Sequence, residues 1–334
     1  MRFGIALPQY GYSLGDSSID WERVRDWALR AERLGFDSAW LSDHLFLDLS
    51  KYGGSDVPQP TMEAFTTLAA LAAETSTIRI GCMVACSDLR SPTLVAKMAT
   101  TIDLISRSRF EIGLGAGWYE REFAAAGISF DPPGERVARL EETVQIVKGL
   151  ISRSPFHLKG KHLRIEDAWN TPVPSRPTPV WVGGKGDRVV RVAARHADGF
   201  NSVWAYTPED YAKRLAVLDQ EMDRIGRPTD EVTRSVGLYT VPGSSEKDAL
   251  LRWERYMQAA PEGTGGIDFE SWRMDKLSGD ADRMQERIQA FADLGAQEVI
   301  LGFGTLPFQI ADADGVDLFA EEVLPRFKLI RRSK

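Results

Sequence analysis

Residues 78–114 read IRIGCMVACSDLRSPTLVAKMATTIDLISRSRFEIGL and contain one complete strand–helix–strand unit. The apolar runs predict strands at residues 78–83 and 110–114, and the segment between them predicts a helix at 93–105. Two short strands joined by a helix pair in parallel, because a right-handed crossover brings the second strand alongside the first. This unit therefore predicts a parallel sheet.

The same alternation continues in both directions along the chain. Further strands are predicted at residues 3–7, 38–41, 180–182, 199–203, 236–241 and 298–301, and further helices at 21–34, 62–75, 136–151, 187–196, 208–225 and 281–294. The clearest helix has an apolar face from Trp21 to Leu34, and Gly35 is expected to end it. Eight strands alternating with helices predict an α/β fold, the (β/α)8 TIM barrel, with insertions in the loops on its C-terminal face.

The length of 334 residues is consistent with one barrel domain that carries insertions. The alternation is interrupted near residues 156–179 and 243–279. The first segment contains HLKGKHLRIEDA, which predicts a small hairpin, and the second is interpreted as an irregular stretch rich in Gly, Trp and charge. Because this second segment follows the seventh strand, it is expected to form a lid or wall over a substrate pocket. A solvent-exposed extra helix and a subunit contact are the alternatives.

An open, doubly wound sheet is the competing architecture, since it also alternates strands and helices. Its glycine fingerprint is missing. The segment from Gly113 to Gly117 has Trp118 where the final Gly or Ala of G-x-G-x-x-G belongs, and it lies at the fourth strand instead of the first. We therefore expect the barrel.

Composition restricts the class of partner. The chain has 41 Lys and Arg against 48 Asp and Glu, a net charge of −7, so we expect a small-molecule substrate and neither nucleic acid nor a membrane surface. The one basic run is the tail at residues 328–334. No apolar segment is long enough to span a membrane, the N-terminus does not resemble a secretory signal, and two cysteines are too few for a disulfide framework. These features predict a cytoplasmic protein. Its oligomeric state is left open, with a homodimer as one possibility.

Catalytic groups of a barrel lie directly after its strands. Asp43 and His44 follow the second strand, and a histidine with an ordinary pKa of roughly 6.5 suits general acid or base catalysis. The alternative is that both residues only make hydrogen bonds at the barrel rim. The three other histidines lack any pattern of metal ligands around them, so no metal site is expected.

Two glycine-rich segments follow other strands. Gly115 and Gly117 would let a flat ring approach the backbone, with Trp118 and Tyr119 beside it or merely packed into the next loop. The segment GGKG at residues 183–186 opens a helix, and its free N–H groups could hold an oxyanion. A tight turn that needs positive φ would explain the same glycines without a ligand.

Several blocks, in order, resemble those of the bacterial luciferase-like monooxygenase superfamily, especially its branch that uses the deazaflavin coenzyme F420. The resemblance runs from residue 2 to about residue 225 and again over residues 278–303, and it is carried by the segments FGIALPQ, RAERLGFDSAWLSDHLF, TLAALAAETSTIRIG, SPTLVAKMATTIDLISRSRFEIGLGAGWYEREFAAAGISF, PTPVWVGGKGDRVVRVAARHADGFN and SGDADRMQERIQAFADLGAQEVILGF. It implies a TIM barrel and a flavin-class cofactor, for which F420 is expected and FMN is the alternative.

The resemblance also implies roles for individual residues. Asp43 would contact the deazaflavin, and His44 would lie near the substrate as the catalytic residue. A non-prolyl cis peptide and a bulge would support the cofactor ring at Met83, Val84 and Ala85. The remaining cofactor contacts are expected at the glycine-rich segments, from Gly115, Gly117, Gly183, Gly184 and Lys185, the last three at the cofactor phosphate.

One departure bears on the substrate. The sugar-phosphate dehydrogenases of this branch have a Trp shortly after the His and a Glu just after the glycine block, where this chain has Asp48 and Trp118. The expected activity is hydride transfer between F420 and an unidentified small organic substrate. The alternatives are a two-component monooxygenase that uses reduced FMN and oxygen, and a flavin-binding protein without catalysis.

Overall fold

The computed structural model describes residues 1–15, 18–204, 206–260 and 266–328. Eight parallel strands close into a barrel, because the ninth strand pairs with both the eighth and the eleventh. The barrel strands are β1 Arg2–Ala6, β2 Ser38–Leu41, β3 Arg79–Cys86, β4 Phe110–Gly115, β7 Val180–Gly183, β8 Gly199–Ser202, β9 Thr233–Pro242 and β11 Glu298–Gly302. The predicted TIM barrel is confirmed.

Helices connect the strands of the barrel. They are α1 Trp21–Leu34, α2 Ala64–Glu74, α3 Pro92–Ser106, α4 Glu120–Ala125, α5 Pro133–Ser152, α6 Asp187–His196, α7 Pro208–Ile225, α8 Glu246–Gln258, α9 Phe269–Arg273, α10 Ala281–Asp293, α11 Ala313–Leu318 and α12 Leu324–Lys328, with a π-helical turn at Phe319–Val323. Gly35 ends α1 in the left-handed conformation, at φ 85°, as predicted. Among the helices of the described residues, none combines the length and the apolar character that a membrane span requires.

The barrel interior is filled by large side chains near its N-terminal end. Trp40 and Trp181 meet edge to face with their ring centroids 6.0 Å apart. Gly81 makes room for Trp40, since a Cβ at that position would overlap the indole. Below the rings, buried Glu298 pairs with Arg79 at 3.0 Å and with Arg2 at 3.1 Å. This plug leaves only the C-terminal end of the barrel open for chemistry.

The hairpin predicted within residues 156–179 is present, as the antiparallel pair β5 Phe156–Lys159 and β6 Arg164–Ala168. The interpretation of residues 243–279 as irregular is wrong for the residues described there. They form α8, α9 and a short strand, β10 Leu277–Gly279, which pairs with β9. The physical reason is that Ala249, Trp253 and Tyr256 share one helical face, which packs against Val241. Residues 261–265 and most of the basic tail lie outside the described residues.

Candidate active site

His44, which follows β2, is bound through one nitrogen to a buried carboxylate. Its Nδ1 lies 3.0 Å from Oε2 of Glu122 on α4, and the other carboxylate oxygen accepts the N–H of Leu45. Glu122 is only 1% exposed. A carboxylate can only accept, so Nδ1 carries the proton and Nε2 is the nitrogen available for chemistry. Within the described part of the chain, Nε2 has no hydrogen-bond partner.

Aromatic rings surround the imidazole of His44. The rings of Trp118 and Tyr119 meet it edge to face, at 5.5 Å and 6.2 Å, and the ring of Tyr10 lies 6.5 Å away. The Nδ1 bond fixes the orientation of the imidazole, while the rings restrict water around it. This arrangement suits a group that exchanges a proton with a bound molecule.

Glu122 was not among the residues predicted from the sequence. No helix was predicted directly after the glycine block, so the sequence did not indicate which residues of α4 face the barrel mouth. The one sequence signal is the apolar residue Phe123 beside Glu122. In the structure Phe123 is fully buried, which shows that this short segment packs inward. A carboxylate beside such an anchor is a candidate for a buried partner of a nearby histidine.

Asp43 is held in a buried ion pair instead of facing open space. Arg90 donates to both carboxylate oxygens, at 2.6 Å and 3.0 Å, and the Cys86 N–H donates at 3.2 Å. Burial raises the pKa of Asp43, while Arg90 opposes the increase. The backbone hydrogen bond that was the alternative interpretation is therefore present, and a contact between Asp43 and a cofactor stays a prediction.

The end of β3 has both features that the resemblance implies. The peptide bond between Met83 and Val84 is cis, and the register with β4 shifts between Cys82 and Ala85, as at a β-bulge. The half-buried side chain of Val84 lies across the glycines of the neighbouring strands. A Cβ on Gly183 would be 2.6 Å from Val84 Cγ1, and one on Gly115 would overlap Cγ2. These two glycines make room for Val84, which forms a shelf at the barrel mouth.

The local structure requires a glycine at position 117, independently of any cofactor. Its φ is +70°, and a Cβ there would lie 2.6 Å from the Phe123 ring and 2.7 Å from Cys86 Sγ. Its carbonyl accepts a hydrogen bond from Arg136. Contacts of Gly115 and Gly117 with a cofactor stay predictions.

The turn at residues 183–186 leaves space at the start of α6. Gly184 has φ +152° and donates to the Asn201 carbonyl at 3.2 Å, whereas a Cβ on Gly186 would meet no atom within 4 Å. The first N–H groups of a helix lack partners within that helix and favour anions. The side chain of Lys185 has a different partner, since its Nζ donates a hydrogen bond to the Trp204 carbonyl at 2.8 Å. The helix N-terminus thus fits a phosphate, and the role of Lys185 toward it stays a prediction.

A second aromatic wall faces this turn. Trp204 stacks on Tyr239 at 5.5 Å and meets Phe308 edge to face at 5.7 Å. On the His44 side, the Tyr119 hydroxyl and Arg121 both donate to Asp48. Burial opposes the effect, but hydrogen bonds from Ser50 and from these two groups lower the pKa of Asp48 to about 2. Asp48 therefore ties the loop after β2 to the segment after β4.

The mouth can accommodate a flavin-class cofactor. A flat ring needs an even apolar support, which Val84 provides between two strands that lack side chains at the contact. A phosphate needs N–H groups at a helix start with free space, which α6 provides. A parallel barrel with these two elements and a partnered histidine at its C-terminal end is the arrangement of a TIM-barrel enzyme.

The chain belongs to the luciferase-like monooxygenase family, whose model matches residues 1–305. It is therefore an enzyme of this family, an oxidoreductase or a monooxygenase. It is 26% identical to an F420-dependent glucose-6-phosphate dehydrogenase of Nakamurella multipartita, over 96% of this chain and 97% of the relative. It is 32% identical to the pyrimidine monooxygenase RutA of Enterobacter cloacae, over 75% of this chain and 68% of the relative.

Solved structures agree on the fold. An F420-dependent secondary alcohol dehydrogenase has a TM-score of 0.79 at 19% identity, with 96% of this chain and 98% of that chain covered. The EDTA monooxygenase of Chelativorans sp. BNC1 has a TM-score of 0.78 at 17% identity, with 98% and 94% covered. At these identities the likeness concerns the barrel alone.

Proposed function

We propose that this protein is an F420-dependent oxidoreductase, which transfers a hydride between coenzyme F420 and a small organic substrate. The observation that carries the proposal is the pair of His44 and Glu122, with Nδ1 and Oε2 3.0 Å apart at the mouth that also holds the Val84 shelf. The relative with F420 in its name supports the choice of cofactor, since it matches this chain over nearly the whole length of both.

The cofactor residues follow from the shelf and the helix start. Met83, Val84 and Ala85 would support the ring system, and the turn at Gly183 and Gly184 would hold the phosphate beside α6. When bound, F420 would supply the two-electron chemistry, while the protein supplies orientation and electrostatics. Asp43 would act with Arg90 to hold the segment at Cys86 in place below the ring.

His44 would transfer the proton that accompanies the redox step. Glu122 holds the proton on Nδ1, so Nε2 accepts a proton from a substrate hydroxyl or, once protonated, returns one. Trp118 and Tyr119 would exclude bulk water around the imidazole. The side chain is 14% exposed, so a bound molecule can reach it.

A monooxygenase that uses reduced FMN is the second candidate. It is favoured by the 32% identity to the pyrimidine monooxygenase RutA. In both candidates the Val84 shelf would support a tricyclic ring, and both cofactors carry a phosphate.

Gel filtration of the purified apoprotein after incubation with F420, and separately with FMN, tests the choice. We expect F420 to remain with the protein and FMN to separate from it. Retention of FMN alone would contradict the proposal.

A further inference from the structure

Three lysines from separate segments reach the barrel mouth, and each lies over an aromatic ring. Lys51 Nζ is 4.0 Å from the centroid of the Trp118 ring, Lys185 Nζ is 5.1 Å from that of Tyr206, and Lys276 Nζ is 5.5 Å from that of Trp272. Lys51 follows β2, Lys185 follows β7, and Lys276 lies in the insertion after β9, so these lysines approach the mouth from different segments.

The wall of Trp204 and Tyr239 connects the three segments. Lys185 donates to the Trp204 carbonyl, and Trp204 stacks on Tyr239. Lys276 lies beside Tyr239, because Leu277 pairs with Thr240 in the parallel register and Lys276 and Tyr239 directly precede this pair in the chain. Tyr52, the neighbour of Lys51 in the chain, lies close enough to Tyr239 to affect its pKa.

The charge of this group is only partly compensated. Lys276 pairs with Asp275. Asp48 is already paired with Arg121, whereas Glu122 only accepts a hydrogen bond from His44 and so keeps its negative charge. Burial lowers the pKa of Lys185, Asp275 opposes this, and Lys51 and Lys276 lower it further, as expected for cations that repel one another. A protein with a net charge of −7 thus keeps an excess of positive charge at its mouth.

We propose that Lys51 and Lys276 bind an anionic group of the substrate, a carboxylate or a phosphate, and that Lys185 contributes to this site instead of to the cofactor phosphate. This inference rests on the proposed function in taking the anion to belong to the substrate. Lys51 stacks on Trp118, whose ring is 5.5 Å from that of His44. The anion would therefore anchor one end of the substrate while the group that reacts lies at His44. The rings of Trp118 and Trp204 would flank the part between.

Titration calorimetry of the apoprotein with inorganic phosphate tests the site, at an ionic strength held constant with chloride. We expect saturable binding to the parent protein. Lys51→Met and Lys276→Met should each weaken it at least about tenfold, or roughly 1.4 kcal/mol. Lys161→Met is the matched control, since this lysine is 75% exposed on the hairpin and pairs only loosely with Glu135, at 3.5 Å. Its affinity should stay within about twofold of the parent.

A phosphate could instead bind at the start of α6, where the cofactor phosphate is expected. Gly186→Asp distinguishes the two sources, because a side chain at position 186 extends into the free space before α6 and places a carboxylate where a phosphate would bind. Loss of binding in Gly186→Asp alone would overturn the inference, and so would equal binding in all variants or none in the parent. The titration contains no F420, so its failure is separate from a failure of the proposed cofactor.

Discussion

Among single residues, His44 is expected to transfer the proton and Glu122 to position His44. If His44 transfers a proton, His44→Ala should lower kcat by about 10²–10⁴ with little loss of cofactor affinity. Asp43→Ala is the contrast, and it should weaken cofactor binding first, because it releases Arg90 and the Cys86 N–H. Both constants are measured for each variant. Turnover of His44→Ala within a few-fold of the parent would remove His44 from the catalytic role.

Glu122 is expected to act as a positioning residue. Glu122→Gln keeps the shape but gives Leu45 N–H or His44 a poor partner, so kcat should fall by about tenfold or more, the pH profile of kcat should shift, and cofactor affinity should stay unchanged. The matched control is Glu120→Gln, an exposed carboxylate of the same helix. A pH profile that remains that of the parent would contradict this role.

Asp48 is expected to make the free energy of unfolding depend on pH. Its pKa is lowered from 3.8 to about 2 in the folded protein, so its stabilising effect is complete above the unfolded value and is lost as the pH falls through about 2. Asp48→Asn should therefore lower the free energy of unfolding near neutral pH, by about 2 kcal/mol at most, and the difference should shrink below about pH 4.

Denaturant unfolding of Asp48→Asn and the parent between about pH 3 and pH 7 measures this difference. Asp230→Asn, an exposed carboxylate before β9 at the other end of the barrel, serves as the control. A difference that is independent of pH would show that the network around Asp48 does not depend on its charge.

At the scale of elements, the insertion after β9 connects substrate recognition to packing. Trp272 packs with Trp253 and Phe269, and Lys276 lies over its ring. Trp272→Ala should destabilise this part by about 3–5 kcal/mol and raise the substrate KM, while cofactor affinity changes little. Trp169→Ala, at a tryptophan that is 61% exposed in the other insertion, is the control. An unchanged KM would contradict the expectation that the insertion forms a wall of the pocket.

The sequence predicted elements best where one periodic face is uninterrupted. The helices Trp21–Leu34, Asp187–His196 and Pro208–Ile225 have the predicted bounds. The helices of the insertion were missed because glycines and charges surround a short apolar face, and strand β3 extends to Cys86 through a bulge that leaves no pattern in the sequence. Periodicity reports which side of an element is buried, and it does not report local departures from regular geometry.

At the scale of the whole molecule, the alternation of eight strands with helices and the missing glycine fingerprint together predicted the barrel, and the barrel located the chemistry at the ends of its strands. This rule found His44 and Asp43. It could not find Glu122 or Arg90, because these partners are 78 and 47 positions away and meet their residues only in the folded chain. It also left the glycines ambiguous, since the need to make room for Val84 already requires Gly115 and Gly183.

Fluorescence titration of the apoprotein with F420, and separately with FMN, measures which cofactor this protein binds. We expect F420 to bind at least tenfold tighter than FMN, a difference of roughly 1.4 kcal/mol. Equal or tighter binding of FMN would contradict it.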